Sequence, residues 1–178
     1  MAYYKVCEKL PYTLSIQFSK SILAPLSEKF STLLPYNKMS NHISIKYLGY
    51  EENLTSVRLT EILSKLKDMS SISKQELEIL RFDVFNNSHT FYENLLYLSV
   101  PVDYLRAIHY KTIAILSESI DIFEMNDFDK YKPHISCGKI TDKKILIDLN
   151  KMLEDHSKIY IKDWDMVLHT SNIEYRIL

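Results

Sequence analysis

Residues 41–49 read Asn41-His42-Ile43-Ser44-Ile45-Lys46-Tyr47-Leu48-Gly49, and residues 133–140 read Pro133-His134-Ile135-Ser136-Cys137-Gly138-Lys139-Ile140. Both contain His-Ile-Ser, and both read as strands. Successive side chains on a strand point to opposite faces, so residues i and i+2 share one. His42 and Ser44 therefore project together, as do His134 and Ser136, while Ile43 and Ile135 turn toward a core. Each strand offers one imidazole and one hydroxyl to the same side.

The surrounding segments place the two strands in matching settings. Residues 12–18 alternate Tyr12, Leu14, Ile16 and Phe18 with Thr13, Ser15 and Gln17, the pattern of a half-buried strand. Residues 21–34 carry Ile22, Leu23, Leu26, Phe30, Leu33 and Leu34 at helical spacing. Residues 53–69 put Leu54, Val57, Leu59, Ile62, Leu63 and Leu66 on a helix face, with Asn53 as its cap. Further on, 76–85 alternates and 94–102 is an apolar run, with a turn-like stretch at 86–90 between them. A helix over 103–120, capped by Asp103, leads toward the second His-led strand. A helix over 142–155 and strands at 158–168 and 172–177 complete the chain. The expectation is an α+β protein of two similar halves with mainly antiparallel pairing, each half holding a strand, a helix and a His-led strand.

Composition removes several function classes. The chain of 178 residues suits one domain, 1–178, and is long enough to bury a core without disulfide or metal staples. It has only two glycines, Gly49 and Gly138. A dinucleotide fingerprint needs three and a P-loop needs two at fixed spacing beside a Lys, so neither fits. Two cysteines, Cys7 and Cys137, cannot build a disulfide framework or a Cys-rich zinc site. With 22 basic and 23 acidic residues the net charge is -1, so any nucleotide must be held by a local site. The first residues lack the apolar core of a signal peptide, and no apolar run approaches the ~20 residues that span a bilayer. A cytoplasmic, intracellular monomer without a membrane partner is expected. Richness in Lys, Ile, Ser and Tyr suggests an A/T-biased genome, such as that of a virus or a low-GC bacterium.

The paired motifs resemble the 2H phosphoesterase superfamily, whose signature is two His-apolar-Ser/Thr-apolar strands in the two lobes of one fold. The first matches through its basic residue and Leu48-Gly49, the second through Pro133 before His134 and a basic residue five after it. The spacing of 92 residues between the histidines suits one lobe repeat. Ser44 and Ser136 stand where Thr is commoner, and Cys137 where an aliphatic residue is usual. The resemblance implies a bilobal fold, two pseudo-symmetric lobes of mainly antiparallel sheet with outer helices around a central cleft. It implies His42 and His134 as catalytic acid and base, Ser44 and Ser136 as phosphate ligands, no cofactor and no metal. The implied activity is metal-independent phosphodiester hydrolysis, with a 2′,3′-cyclic phosphate on a nucleotide or short RNA as the leading substrate. Viral members suggest a second substrate class, 2′-5′ or cyclic oligonucleotide immune signals. A non-catalytic nucleotide-binding module is the alternative from another class.

The chemistry suits these residue types. Histidine titrates near neutral pH, so a pair holds one neutral and one protonated member, the two states that phosphodiester cleavage needs. Serine hydroxyls donate to the nonbridging oxygens where charge concentrates. Lys46, at i+4 from His42, shares its face on a regular strand and is a candidate substrate contact. Lys139, at i+5 from His134, points away unless Gly138 marks a bulge. Tyr131, just before the second motif, is a candidate for stacking on a base. The remaining histidines are read without chemistry: His89 in a loop, His109 and His156 on helix surfaces, and His169-Thr170-Ser171 a third match at a strand end that lacks the apolar middle residue. Asp163, Asp165 and His169 fit no compact metal-ligand spacing, and Cys137 and Trp164 are assigned to the core.

Overall fold

The computed structural model describes residues 11–85, 94–117 and 131–178. Cys7 and the turn expected at 86–90, with its His89, lie outside these residues.

Strand β1 (Pro11–Phe18) follows its alternation: Tyr12, Leu14, Ile16 and Phe18 are buried on one face. It runs through the middle of an antiparallel sheet, between β2 (His42–Tyr50) and β8 (Trp164–His169), with β9 (Glu174–Arg176) on the far edge. The second sheet has the order β4 (Arg81–Val84), β5 (Leu95–Ser99), β6 (His134–Lys139), also antiparallel. A two-stranded ribbon pairs β3 (Leu77–Glu78) with β7 (Tyr160–Ile161). Each His-led strand is thus an edge of its own sheet among the described residues, β2 in the first lobe and β6 in the second.

Four α-helices among the described residues cover the apolar faces. Helix α1 (Ala24–Leu33) buries Leu26 and Phe30, and α2 (Ser56–Leu66) buries Ile62 and Leu66, each pair one turn apart. Helix α3 (Val102–Leu116) buries Leu105, Ile108, His109, Thr112 and Leu116 along one stripe and packs on β2 and α2. Helix α4 (Ile145–Glu154) buries Leu149 and Met152 and packs on α1 and β4. The core runs through both lobes. Phe30 of α1 stacks on Phe82 of β4 with ring centroids 5.9 Å apart.

Several expectations are corrected. The strands expected at 76–85 and 158–168 each divide in two. At Ile79 and Leu80 the backbone changes partner, Ile79 donating to the Ile159 carbonyl and Leu80 to that of Ser99, so one alternating run serves two sheets. The last two strands do not belong to the second half. They pair with β1 and complete the first lobe, so the first sheet is closed by the two ends of the described chain. Asn53 ends a 3₁₀ turn (Glu51–Asn53), and the cap of α2 is Thr55, whose Oγ1 accepts the Arg58 N–H at 3.2 Å. Helix α3 starts behind Pro101, with Asp103 in its first turn, where the exposed N–H groups favour a carboxylate. His109 is buried, only 2% exposed, and His156 is half-buried. No helix among the described residues is long and apolar enough to cross a membrane.

Candidate active site

The motif side chains alternate as the sequence predicts. On β2 His42 and Ser44 are exposed while Ile43 and Ile45 are buried. On β6 His134 and Ser136 are half-exposed while Ile135 and Cys137 are buried. Burial pushes the Cys137 thiol up to about 12, leaving an inert core group.

The two edge strands meet where the lobes join. Ser40 donates from its backbone N–H to the Ser136 carbonyl at 2.8 Å. The Tyr131 hydroxyl donates to the Ser44 carbonyl at 3.0 Å. Asn37 Nδ2 donates to the Lys139 carbonyl at 2.9 Å. These bonds tie the two His-Ile-Ser strands to one cleft, and the His134 charge acts on His42 across it.

Both imidazoles are oriented by the residue two positions earlier. His134 Nδ1 lies 2.8 Å from the Lys132 carbonyl, which only accepts, so Nδ1 carries the hydrogen and Nε2 is the acceptor nitrogen of the neutral ring. His42 Nδ1 lies 3.2 Å from Ser40 Oγ, and that hydroxyl donates to the His42 carbonyl at 3.0 Å. With its one hydrogen so used, Ser40 accepts from Nδ1–H, and Nε2 is again the acceptor nitrogen of the neutral ring. Ser40 and Lys132 hold the two rings through these contacts, and sequence reading missed both. Only their matching i−2 positions signalled them. Phe85 and Tyr97 press edge-on against the His134 ring, with centroids at 4.9 and 5.6 Å.

The site disfavours the charged form of both histidines. Desolvation in the cleft lowers the proton affinity of His42, and the His169 and His134 charges lower it further. Desolvation also lowers that of His134, with the Lys132 charge assisting and the hydrogen bond to the Lys132 carbonyl opposing. Beside His134, Asp83 stands close to Arg81 and Lys132, at 3.2 and 3.9 Å. Burial raises its carboxyl, but the Val84 N–H, the Tyr97 side chain and those two cations outweigh it and hold the carboxyl below its ordinary range.

Two bulges decide which lysine reaches this face. In β2 the pairing steps from Leu14↔Lys46 to Ser15↔Ser44, so Ile45 is the extra residue and the parity flips. Lys46 therefore sits opposite Leu14 on the core side, 6% exposed, and does not share the face of His42 and Ser44 as a regular strand would place it. In β6 the pairing steps from Leu95↔Lys139 to Tyr97↔Ser136, and Gly138 at φ +93° makes the bulge. Tyr97 faces Ser136, so Lys139, opposite Leu95, shares that face and is exposed. A Cβ on Gly138 would stand 2.8 Å from Asn37 Cγ. We expect Gly138→Ala to cost about 1–3 kcal/mol, from the positive φ and the displaced Asn37, read as a lower denaturant midpoint. An unchanged midpoint would show that the bulge relaxes freely.

Tyr131, expected to stack on a base, has its ring stacked on His109 at 4.1 Å with 2° between the planes, while its hydroxyl bridges to β2. His109 Nδ1 lies 2.7 Å from the Ile45 carbonyl. This pair braces the β2 bulge. His169 comes into the site instead: its ring is 6.1 Å from that of His42. The rest of the third motif stays outside, with Ser171 bonding the Glu51 carboxylate and Thr170 the Ile173 backbone. Asp165 is engaged by Arg176 at 2.6 Å and Lys74 at 3.4 Å. Among the described residues no three His, Cys, Asp or Glu gather as a metal site. A pocket of about 480 Å³, lined by Gln17, Ser19, Lys74, Trp164, Asp165 and Arg176 among others, opens beside the site, since Gln17 is the cross-strand partner of His42.

No family model and no curated protein matches the sequence. Solved structures do match over nearly the whole chain. TT0787 of Thermus thermophilus aligns with a TM-score of 0.63 at 11% identity, covering 94% of this chain and 97% of its own. A structure titled phosphoesterase aligns with a TM-score of 0.57 at 12% identity, covering 95% and 94%. E. coli LigT complexed with 3′-AMP aligns with a TM-score of 0.55 at 12% identity, covering 95% and 94%. At such identity the likeness lies in the course of the backbone through both lobes, and by that measure the chain has the fold of the 2H phosphoesterases.

Proposed function

We propose that the chain is a metal-independent phosphodiesterase acting on nucleotides or short RNA with a 2′-linked phosphate, a 2′,3′-cyclic phosphate foremost. The observation that carries this reading is the pair of imidazoles from different lobes in one cleft, each with Nδ1 committed to a neighbour and Nε2 left for proton transfer. One Nε2 takes a proton from water as its oxygen attacks phosphorus. The other gives a proton to the ribose oxygen whose bond to phosphorus breaks. Ser44 and Ser136 donate to the nonbridging oxygens, and Lys139 adds positive charge on the same face. LigT structures titled as complexes with 3′-AMP and with ATP support a nucleotide as the ligand.

The test is cleavage in EDTA of an RNA oligomer ending in 2′,3′-cyclic phosphate, a 2′-5′ oligoadenylate, and cyclic di- and trinucleotides. A His42→Ala/His134→Ala protein serves as the blank. Turnover of one of these, absent in the blank, is the expected result. Nucleotide binding without turnover of any would replace the enzyme by a binding module.

The pH dependence has a defined sign. Both imidazoles lie below the ordinary histidine value of 6.5 in the free protein, so both limbs of the kcat/KM bell are drawn to lower pH. A bound phosphate anion favours the charged imidazole and raises its proton affinity. The kcat optimum therefore lies at higher pH than that of kcat/KM. Profiles flat across the histidine range under chemistry-limited conditions would exclude paired acid–base work.

A further inference from the structure

We propose that Tyr47 is the base-stacking platform of the cleft, so that a phosphate at Ser44 and the base attached to it lie along one strand. The burial pattern of β2 carries this. From His42 to Leu48 the residues run exposed, buried, exposed, buried, buried, exposed, buried. The two successive buried positions are Ile45, the bulge residue, and Lys46. Past them the exposed face resumes at Tyr47, where a regular strand would show Lys46. The register agrees. His42, Ser44 and Tyr47 stand opposite Gln17, Ser15 and Thr13, alternate residues of β1 that share one face. The bulge thus exchanges a cation for an aromatic ring on the face of the motif.

Tyr47 is 43% exposed. Its ring meets that of Tyr50 edge-to-face, with centroids 6.1 Å apart, a contact that orients the ring and leaves it open to the cleft side. The other exposed tyrosines among the described residues, Tyr36 and Tyr110, lie in a loop and on α3. The rings beside the second motif are already engaged: Tyr131 is stacked on His109, and Tyr97 is buried. The spacing suits a nucleotide. Ser15 and Thr13 are neighbours on their face of β1, so Tyr47 follows Ser44 along the sheet by about 7 Å. That is the scale of the ribose that separates a 2′-phosphate from its base. Every base has a π-face, and purines offer the larger one, so this platform favours a purine nucleotide.

The ligand rests on the phosphodiester reading above; the place of the ring on the cleft face does not. Steady-state kinetics compare adenosine 2′,3′-cyclic phosphate with methyl riboside 2′,3′-cyclic phosphate, which has the same reacting group and no base. Wild type should prefer the adenosine substrate through KM. That preference should shrink by about 5–150-fold in Tyr47→Ala, the worth of one base–aromatic stack, and persist in Tyr47→Phe. An equal loss on both substrates in Y47A would overturn the stack, since a structural fault spares neither. So would an unchanged preference in Y47A, or a loss in Y47F as large as in Y47A, which would place the effect in the hydroxyl. Binding is read separately in Tyr47→Trp, whose indole emission should be quenched by 2′-AMP. Wild type is the reference there, because its Trp164 is only 3% exposed. No turnover of either substrate by wild type would remove the phosphodiester reading. The platform would then stand or fall on quenching of Y47W by 2′-AMP.

Discussion

Replacing His134 by Ala is expected to lower kcat/KM by about 10²–10⁴, the usual worth of one general acid or base. The same loss is expected for His42→Ala, and the double variant should fall little further, because neither proton transfer works without its partner. The fold should survive. Both side chains reach into the cleft, and their loss leaves the Lys132 carbonyl and the Ser40 hydroxyl beside exposed backbone open to water. Circular dichroism and a denaturant midpoint close to wild type check this. Full activity in either single variant would remove the mechanism, since no hydroxyl or lysine in the cleft can move a proton at neutral pH as an imidazole does.

Phe82→Ala should cost about 3–5 kcal/mol, the range for emptying a buried aromatic site. Phe82 is 1% exposed and stacks on Phe30 of α1, so its ring joins a helix inserted between two first-lobe strands to the second sheet. The backbone at Phe82 is clamped as well. Asn150 of α4 accepts its N–H at 2.8 Å and donates to its carbonyl at 3.1 Å, so β4 cannot shift to fill the void without breaking both bonds. Phe82→Leu retains most of the volume and should cost markedly less. Denaturant midpoints of the two variants are the check. A loss below about 1 kcal/mol in Phe82→Ala would show that the stack does not hold the lobes together, since one kcal/mol is the typical effect of an unremarkable substitution.

The His-Ile-Ser strings were legible because they are local. Period-2 alternation decides which side chains share a face as long as the strand is regular, and Ile43, Ile135 and Cys137 are buried as it requires. The glycine count was equally direct, because a motif lacking its residues cannot form. The alternation of Tyr12, Leu14, Ile16 and Phe18 gave β1 for the same reason, and helical stripes gave α1 to α4 within a few residues of their ends.

Tertiary structure decided the rest, by non-local pairing. Strand parity after a bulge depends on the register of the neighbouring strand, so Lys46 moved to the core side and Lys139 onto the site face, the reverse of what regular counting of β2 and β6 suggests. The return of β8 and β9 to the first sheet is a pairing between distant segments, and a run of alternating residues does not name its partner. That return carries His169 to His42, although the string around it is the least like the motif. His109 was read as a surface residue because one polar side chain on a helix carries no sign of what faces it. The bulged backbone of β2 and the ring of Tyr131 supply its partners only once α3 is docked. The sequence by itself determined which groups the two motif strands offer. The fold decided which further charges stand beside them, because electrostatics acts through space and pairing sets the distances.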